Sequence, residues 1–401
     1  MEEKITIGNI FRQYGEPYIT KHKLKGQAKG ILRLLAICQT PVLGLHYQQC
    51  NYCGHTEVFS NSCRNRHCPV CQHKDRQQWL DKRMQELLGV GYYHLVFTIP
   101  HQLNDLCLKN KKLMYNILFK AASQTVIELA RDTRYLGANT GLITVLHTWG
   151  QNMMDHPHLH CIMPAGGLSF DKLHWISPCK SNDFFVYYKV LSRKFRGKFL
   201  YLLQHAYENG LLNFPSKIAA LSSKRAFRTF KDQLFKKKWV VYIQKPLGHP
   251  GKILEYLGRY VFRIAITDRR IEKIEDGKVH FSMKDYRRGG LWRKMSLDID
   301  EFIGRFLLHI LPKGFSKVRY YGIFASTVRK KNIQTAKQCL NEERILRNQQ
   351  DKEDGIPCWE KHETVWLEIM QAIANYIMPN CPVCKQGVMQ FSGMVPKIAS
   401  G

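Results

Sequence analysis

Acidic residues are scarce in this chain of 401 residues: 32 Asp and Glu stand against 61 Lys and Arg, a formal net charge of +29. A surplus of that size repels itself in a compact state unless a polyanion neutralises it, and nucleic acid is the usual polyanion. Long hydrophobic runs are missing too. No stretch reaches the roughly 18 consecutive apolar residues of a membrane-spanning helix, so no membrane partner is expected. The opening MEEKITIGNIF lacks the basic-then-apolar pattern of a secretory leader. Internal repeats and low-complexity tracts are absent, and 44% hydrophobic with 23% charged residues is ordinary globular composition. At about 150 residues per domain the length suits two or three domains.

Cysteine, by contrast, is plentiful. Of the 13 cysteines, six fall in three Cys-x-x-Cys pairs, which in a long chain without a leader points to metal binding in a reducing cytosol and not to a disulfide framework. Cys50-x2-Cys53 and Cys68-x2-Cys71 offer four sulfurs on two tight knuckles, the donor set of a closed structural zinc site. Cys63 and the nearby histidines stand as possible substitutes. A closed site leaves no position for a substrate, so its role is folding and DNA contact, with Arg64 and Arg66 as phosphate-binding candidates. A further pair, Cys381-Pro-Val-Cys384, needs two more ligands; Cys358 and His362 are candidates.

Periodicity predicts helices before residue 45, a loop-rich cysteine segment, then an α+β region. Tyr92–Ile99, Gly141–Thr148 and His158–Met163 read as strands. Residues 189–238 form a largely helical, basic stretch with 13 Lys/Arg against 2 Asp/Glu. Asp276-Gly277 marks a hairpin. The expected partition is 1–90, helical and zinc-binding; 91–330, an antiparallel sheet with packed helices and a basic helical insertion near 185–238; and 331–401, a helical C-terminal region with the terminal Cys pair.

Two further motifs carry chemistry. In Asp155-His-Pro-His-Leu-His-Cys, residues two apart on a strand share a face, so His158 and His160 point the same way and can hold a cation while leaving coordination positions open. His156 and Gln151 are candidate third ligands. In KILEYLGRYVFR, Tyr256 and Tyr260 lie one helical turn apart, with Lys252, Arg259 and Arg263 beside them. A phenol with a pKa near 10 is a weak nucleophile unless its target phosphate is polarised by a metal and flanked by cations.

The cysteine block from Cys50 to Gln72, then DHPHLHCIMPAGG, then YLGRYVFRIAI, in that order, resembles the insertion sequence 91 family of rolling-circle transposases, within the HUH endonucleases. The resemblance implies an N-terminal helical, zinc-ribbon-like domain before an HUH-type antiparallel sheet. It also implies structural zinc and a catalytic magnesium or manganese. Tyr256 or Tyr260 would attack single-stranded DNA at transposon ends and target, leaving a 5′-phosphotyrosine link and a free 3′-hydroxyl. A bacterial, cytoplasmic, nucleoid-associated enzyme follows. The competing readings are a non-catalytic zinc-dependent nucleic-acid binder and a metal-dependent nuclease that forms no covalent link.

Overall fold

The computed structural model describes residues 5–72, 83, 86–178, 185–247, 261, 264–285, 289–350 and 380–395. In chain order the elements are α1 (Ile7–Lys21), α2 (Gly26–Ala36), β1 (Leu45–Cys50), β2 (Thr56–Ser60), β3 (Tyr92–Thr98), α3 (Asn104–Lys109), α4 (Lys111–Arg131), β4 (Gly141–Trp149) and β5 (Asp155–Pro164). A short pair follows, β6 (Gly167–Leu168) and β7 (Trp175–Ile176), then α5 (Tyr188–Glu208), α6 (Lys224–Lys236) and β8 (Val241–Leu247). The chain continues through β9 (Ile271–Glu275), β10 (Lys278–Asp285), β11 (Leu291–Asp298), α7 (Ile299–Leu308), β12 (Val318–Gly322), α8 (Arg329–Gln350) and β13 (Met389–Val395).

The chain groups into two units, each assembled from separated stretches: Met1–Leu80 with Phe262–Ile310 and Ile356–Gly401, and Asp81–Val261 with Leu311–Gly355.

In the first unit, α1 starts at a capping box. The Asn9 N–H donates to the Thr6 hydroxyl at 3.1 Å and the Thr6 N–H donates back to the Asn9 side chain at 3.2 Å, satisfying donors that the first turn leaves open. Its buried stripe of Ile7, Ile10, Phe11 and Tyr18 faces inward. Phe11 meets Phe306 of α7 edge to face, 5.0 Å between centroids. A second element of this unit is the three-stranded sheet β13-β1-β2, and a third is the sheet β11-β10-β9, whose first hairpin turns at Asp276-Gly277 as expected.

The second unit is built on a five-stranded sheet, β12-β4-β5-β3-β8, antiparallel at every pairing. Alternation sorts its side chains. Tyr93, Leu95, Phe97, Leu142, Leu146, Leu159, Cys161 and Met163 enter one large core with α4 and α5, including Phe119, Phe195 and Phe199. The other face carries histidine. The fold is therefore α+β with an antiparallel sheet and packed helices, as the sequence predicts. Beyond α8, the C-terminal Cys pair lies in a turn that leads into strand β13.

The basic stretch forms α5 and α6, joined by a 3₁₀ turn. Pro157 is one place where the strand runs further than its sequence suggests. β5 begins at Asp155, because β3 pairs with it only as far as His158 and the β4 register shifts there. A proline without an N–H is tolerated at such a point.

Candidate metal centres and catalytic face

The sulfurs of Cys50, Cys53, Cys68 and Cys71 do not meet at one point. They divide between two quartets, Cys38 with Cys63, Cys68 and Cys71, and Cys50 with Cys53, Cys381 and Cys384, the ligand atoms of each lying within 4.8 Å of one another. The reason is the length of a hairpin. β1 and β2 pair along their length from Leu45↔Ser60 to Gln49↔Thr56. Cys50 and Cys53 sit at the turn. Cys38 and Cys63 flank the open end, where the Gln39 N–H donates to the Asn61 carbonyl at 3.2 Å. About 3.3 Å per strand residue keeps the two ends apart.

Four thiolates around zinc at about 2.3 Å place neighbouring sulfurs about 3.8 Å apart. In the first quartet the separations Cys38–Cys71, Cys63–Cys71 and Cys38–Cys68 are 3.8, 3.6 and 3.5 Å, far beyond a disulfide bond of about 2.05 Å. The Cys63 N–H donates to the Cys38 sulfur at 3.4 Å, as a thiolate requires. Cys38, Cys68 and Cys71 are buried. This donor set fits zinc, and Cys63 belongs to it. Cys358 and His362, considered as ligands for the C-terminal pair, lie outside the described residues. Arg64 is exposed; burial lowers the pKa of Arg66.

On the histidine face of the five-stranded sheet, the ring nitrogens of His147, His158 and His160 lie within 4.8 Å of one another. The expected pair share a face of β5, as alternation demands. The third member comes from β4, where His147 sits directly opposite His158. His156 is not in the group. His156 contributes instead its carbonyl oxygen, 2.7 Å from Nδ1 of His158. A carbonyl only accepts, so Nδ1 carries the proton and Nε2 keeps the lone pair that a metal needs. Nδ1 of His160 is 3.0 Å from Nε2 of His94 on β3. Burial holds His94 neutral, its pKa lowered to about 4 against the opposing hydrogen bond of Gln244. A chain Gln244–His94–His160 thus fixes the orientation of one imidazole from behind, the usual support of a metal-bound histidine.

Sequence reasoning missed His147, His94 and Gln244. His147 has the parity of Val145, opposite to the core residues Leu142 and Leu146, but that it meets His158 is set by the pairing of two strands, which no local pattern announces. The face also presents aromatic surface. Trp149 stacks on His147 with centroids 4.7 Å apart, and Tyr242 is 54% exposed on β8, 6.3 Å from His94. Elsewhere Tyr187 and Tyr188 are exposed and Trp175 is buried. Lys252, Tyr256, Arg259, Tyr260 and Arg263 lie outside the described residues.

Residues 10–99 match the family model described as "Transposase zinc-binding domain" and residues 141–332 the one described as "Putative transposase". The chain is 41% identical over 384 residues, 96% of its length and 94% of the other's, to "Putative transposase y4qJ" of Sinorhizobium fredii (strain NBRC 101917 / NGR234).

The chain belongs to the insertion sequence 91 family of transposases.

A second relative in that family, "Transposase for insertion sequence element IS801" of Pseudomonas savastanoi pv. phaseolicola, is 28% identical over 306 residues, covering 75% of this chain and 71% of that protein. No solved structure matches. In this transposase the zinc-binding model spans the first cysteine quartet and the hairpin, while the transposase model begins at β4 and takes in all three clustered histidines. DNA is the partner that the family and the charge of +29 agree on. Among the described residues no helix is long and apolar enough to cross a membrane.

Proposed function

We propose that this transposase cuts and rejoins single-stranded DNA at transposon ends through a covalent tyrosine intermediate, moving one strand in rolling-circle fashion. The observation that carries the reading is the convergence of His147, His158 and His160 on one sheet face. Three imidazoles without a carboxylate in the group suit manganese better than magnesium. A cation held by these three residues would act as a Lewis acid toward the scissile phosphate.

The remaining work falls to the chain. His94 and Gln244 hold His160 in place, and the His156 carbonyl holds His158. Tyr256 or Tyr260 supplies the nucleophile, with Lys252, Arg259 and Arg263 countering phosphate charge. The phenolic oxygen forms a bond to phosphorus as the phosphorus–3′-oxygen bond breaks; the phenol loses its proton and the 3′-oxygen gains one. The 5′-phosphate stays on tyrosine, and attack by a 3′-hydroxyl reverses the step. Two tyrosines allow two successive transfers. Unpaired bases suit this face, where Trp149 and Tyr242 offer aromatic platforms. The zinc-binding unit, through Arg64 and Arg66 among others, binds the ends.

The test is incubation of the full chain with single-stranded end DNA and Mn²⁺ or Mg²⁺, followed by denaturing gels. A protein–DNA adduct is expected, abolished by Tyr256→Phe with Tyr260→Phe while binding survives. Cleavage without an adduct would assign a hydrolase; binding without cleavage would assign a passive binder.

A further inference from the structure

We infer that Cys50, Cys53, Cys381 and Cys384 form a second structural zinc site, separate from that of Cys38, Cys63, Cys68 and Cys71, which fastens the C-terminal strand to the N-terminal ribbon. The zinc-binding family model ends at residue 99, so it takes in Cys50 and Cys53 but not their partners. The Cys50–Cys384 and Cys53–Cys381 sulfurs are 3.7 and 3.6 Å apart, close to the edge of about 3.8 Å that a tetrahedral zinc thiolate requires.

The two knuckles are wired alike. The Gly54 N–H donates to the Cys50 carbonyl at 3.1 Å, and the Lys385 N–H donates to the Cys381 carbonyl at 3.0 Å. Both residues, four positions after the first cysteine of the pair, have positive φ, 74° and 60°. The Cys50 N–H returns to the His55 carbonyl at 2.8 Å and the Cys381 N–H to the Gly387 carbonyl at 2.7 Å. Each knuckle also aims N–H groups at sulfur: Tyr52 and Cys53 at Cys50, and Gly387 at Cys384, all at 3.4 Å. Two such knuckles facing each other present four sulfurs to one centre.

The ribbon has little else to hold it. β13 pairs with β1 from Leu45↔Val395 to Cys50↔Met389, joining residues more than 330 positions apart. Yet the buried cluster at this end consists of Cys50, Cys381 and Met389, with Cys384 against it, while Val58, Phe391 and Met394 are exposed. So small a core does not offset the ordering of three strands without a staple. Gly387 shows how tightly the knuckles approach: a Cβ there would lie 2.4 Å from the Cys50 sulfur and 2.6 Å from the Tyr52 Cβ.

The experiment is cysteine alkylation with N-ethylmaleimide on the purified, zinc-loaded full chain, read residue by residue by mass spectrometry before and after chelation. Cys53 is exposed and Cys384 half-buried, so as free thiols both would react at once. The site predicts that both are protected, and that chelation releases all four of its cysteines together. Gly387→Val keeps every ligand; it is expected to raise labelling of these four at least tenfold while Cys38, Cys63, Cys68 and Cys71 stay protected. Prompt labelling of Cys53 and Cys384 in the zinc-loaded wild type overturns the proposal. So does protection that survives chelation and yields only to a reductant.

Discussion

The cysteine ribbon and the histidine face both gather metal-binding side chains, and they do so in opposite ways. In the ribbon region four thiolates close around each point, and the core near Cys50 is little more than the ligands themselves. On the sheet, three imidazoles stand on strands backed by a large hydrophobic core. On that contrast the ribbon's fold is expected to depend on its metal and the sheet's is not. A saturated thiolate centre serves architecture, and an unsaturated imidazole centre on a rigid wall is placed for chemistry.

Substitutions separate the two. The largest effect is expected from Cys68→Ser, which removes a buried thiolate from a centre whose zinc binding free energy is on the order of 10 kcal/mol. Zinc content should fall and the ribbon unit should lose its cooperative melting transition by circular dichroism. Survival of that transition would erase the distinction. His147→Ala should do the reverse, lowering adduct formation about 10³-fold in single-turnover assays while the melting temperature stays within a few degrees.

Asp155 probes the wall itself. It faces the core side of β5, with neither carboxylate oxygen hydrogen-bonded among the described residues. Burial raises its pKa to about 7 from 3.8, against the pull of Lys111 and with help from Asp105. Between those two values the unfolded chain binds fewer protons than the folded one, so this group's contribution to stability falls as pH rises. Asp155→Asn should therefore add on the order of 2–3 kcal/mol at pH 8 and almost nothing at pH 4; a gain independent of pH in urea titrations would contradict the assignment. The smallest effect belongs to His94→Ala, which leaves all three ligands but removes the partner of His160. Manganese affinity by calorimetry should drop about 10–100-fold, and Gln244→Ala should follow in the same direction by less.

The same contrast explains what the sequence revealed. Helix stripes, the strands around His94, His147 and His158, and the Asp276-Gly277 turn are local patterns, and the α+β architecture was readable from them. The Cys-x2-Cys knuckles announced zinc because each is a local turn. Their pairing was not readable, since it depends on the length of the β1–β2 hairpin and on a strand that returns from residue 389. The pairing of Cys50 and Cys53 with Cys68 and Cys71 gave way for that reason. His147 and His94 escaped because their roles are visible only across strand pairs, His147 opposite His158 and His94 beside His160.

The claim on which the functional reading rests is that one divalent cation binds His147, His158 and His160 together. Pulsed electron paramagnetic resonance of the zinc-loaded full chain with one equivalent of Mn²⁺ tests it directly. Nitrogen couplings from three imidazoles are expected, reduced to two in His147→Ala. Manganese that shows no nitrogen coupling, or a spectrum unchanged by His147→Ala, would contradict it.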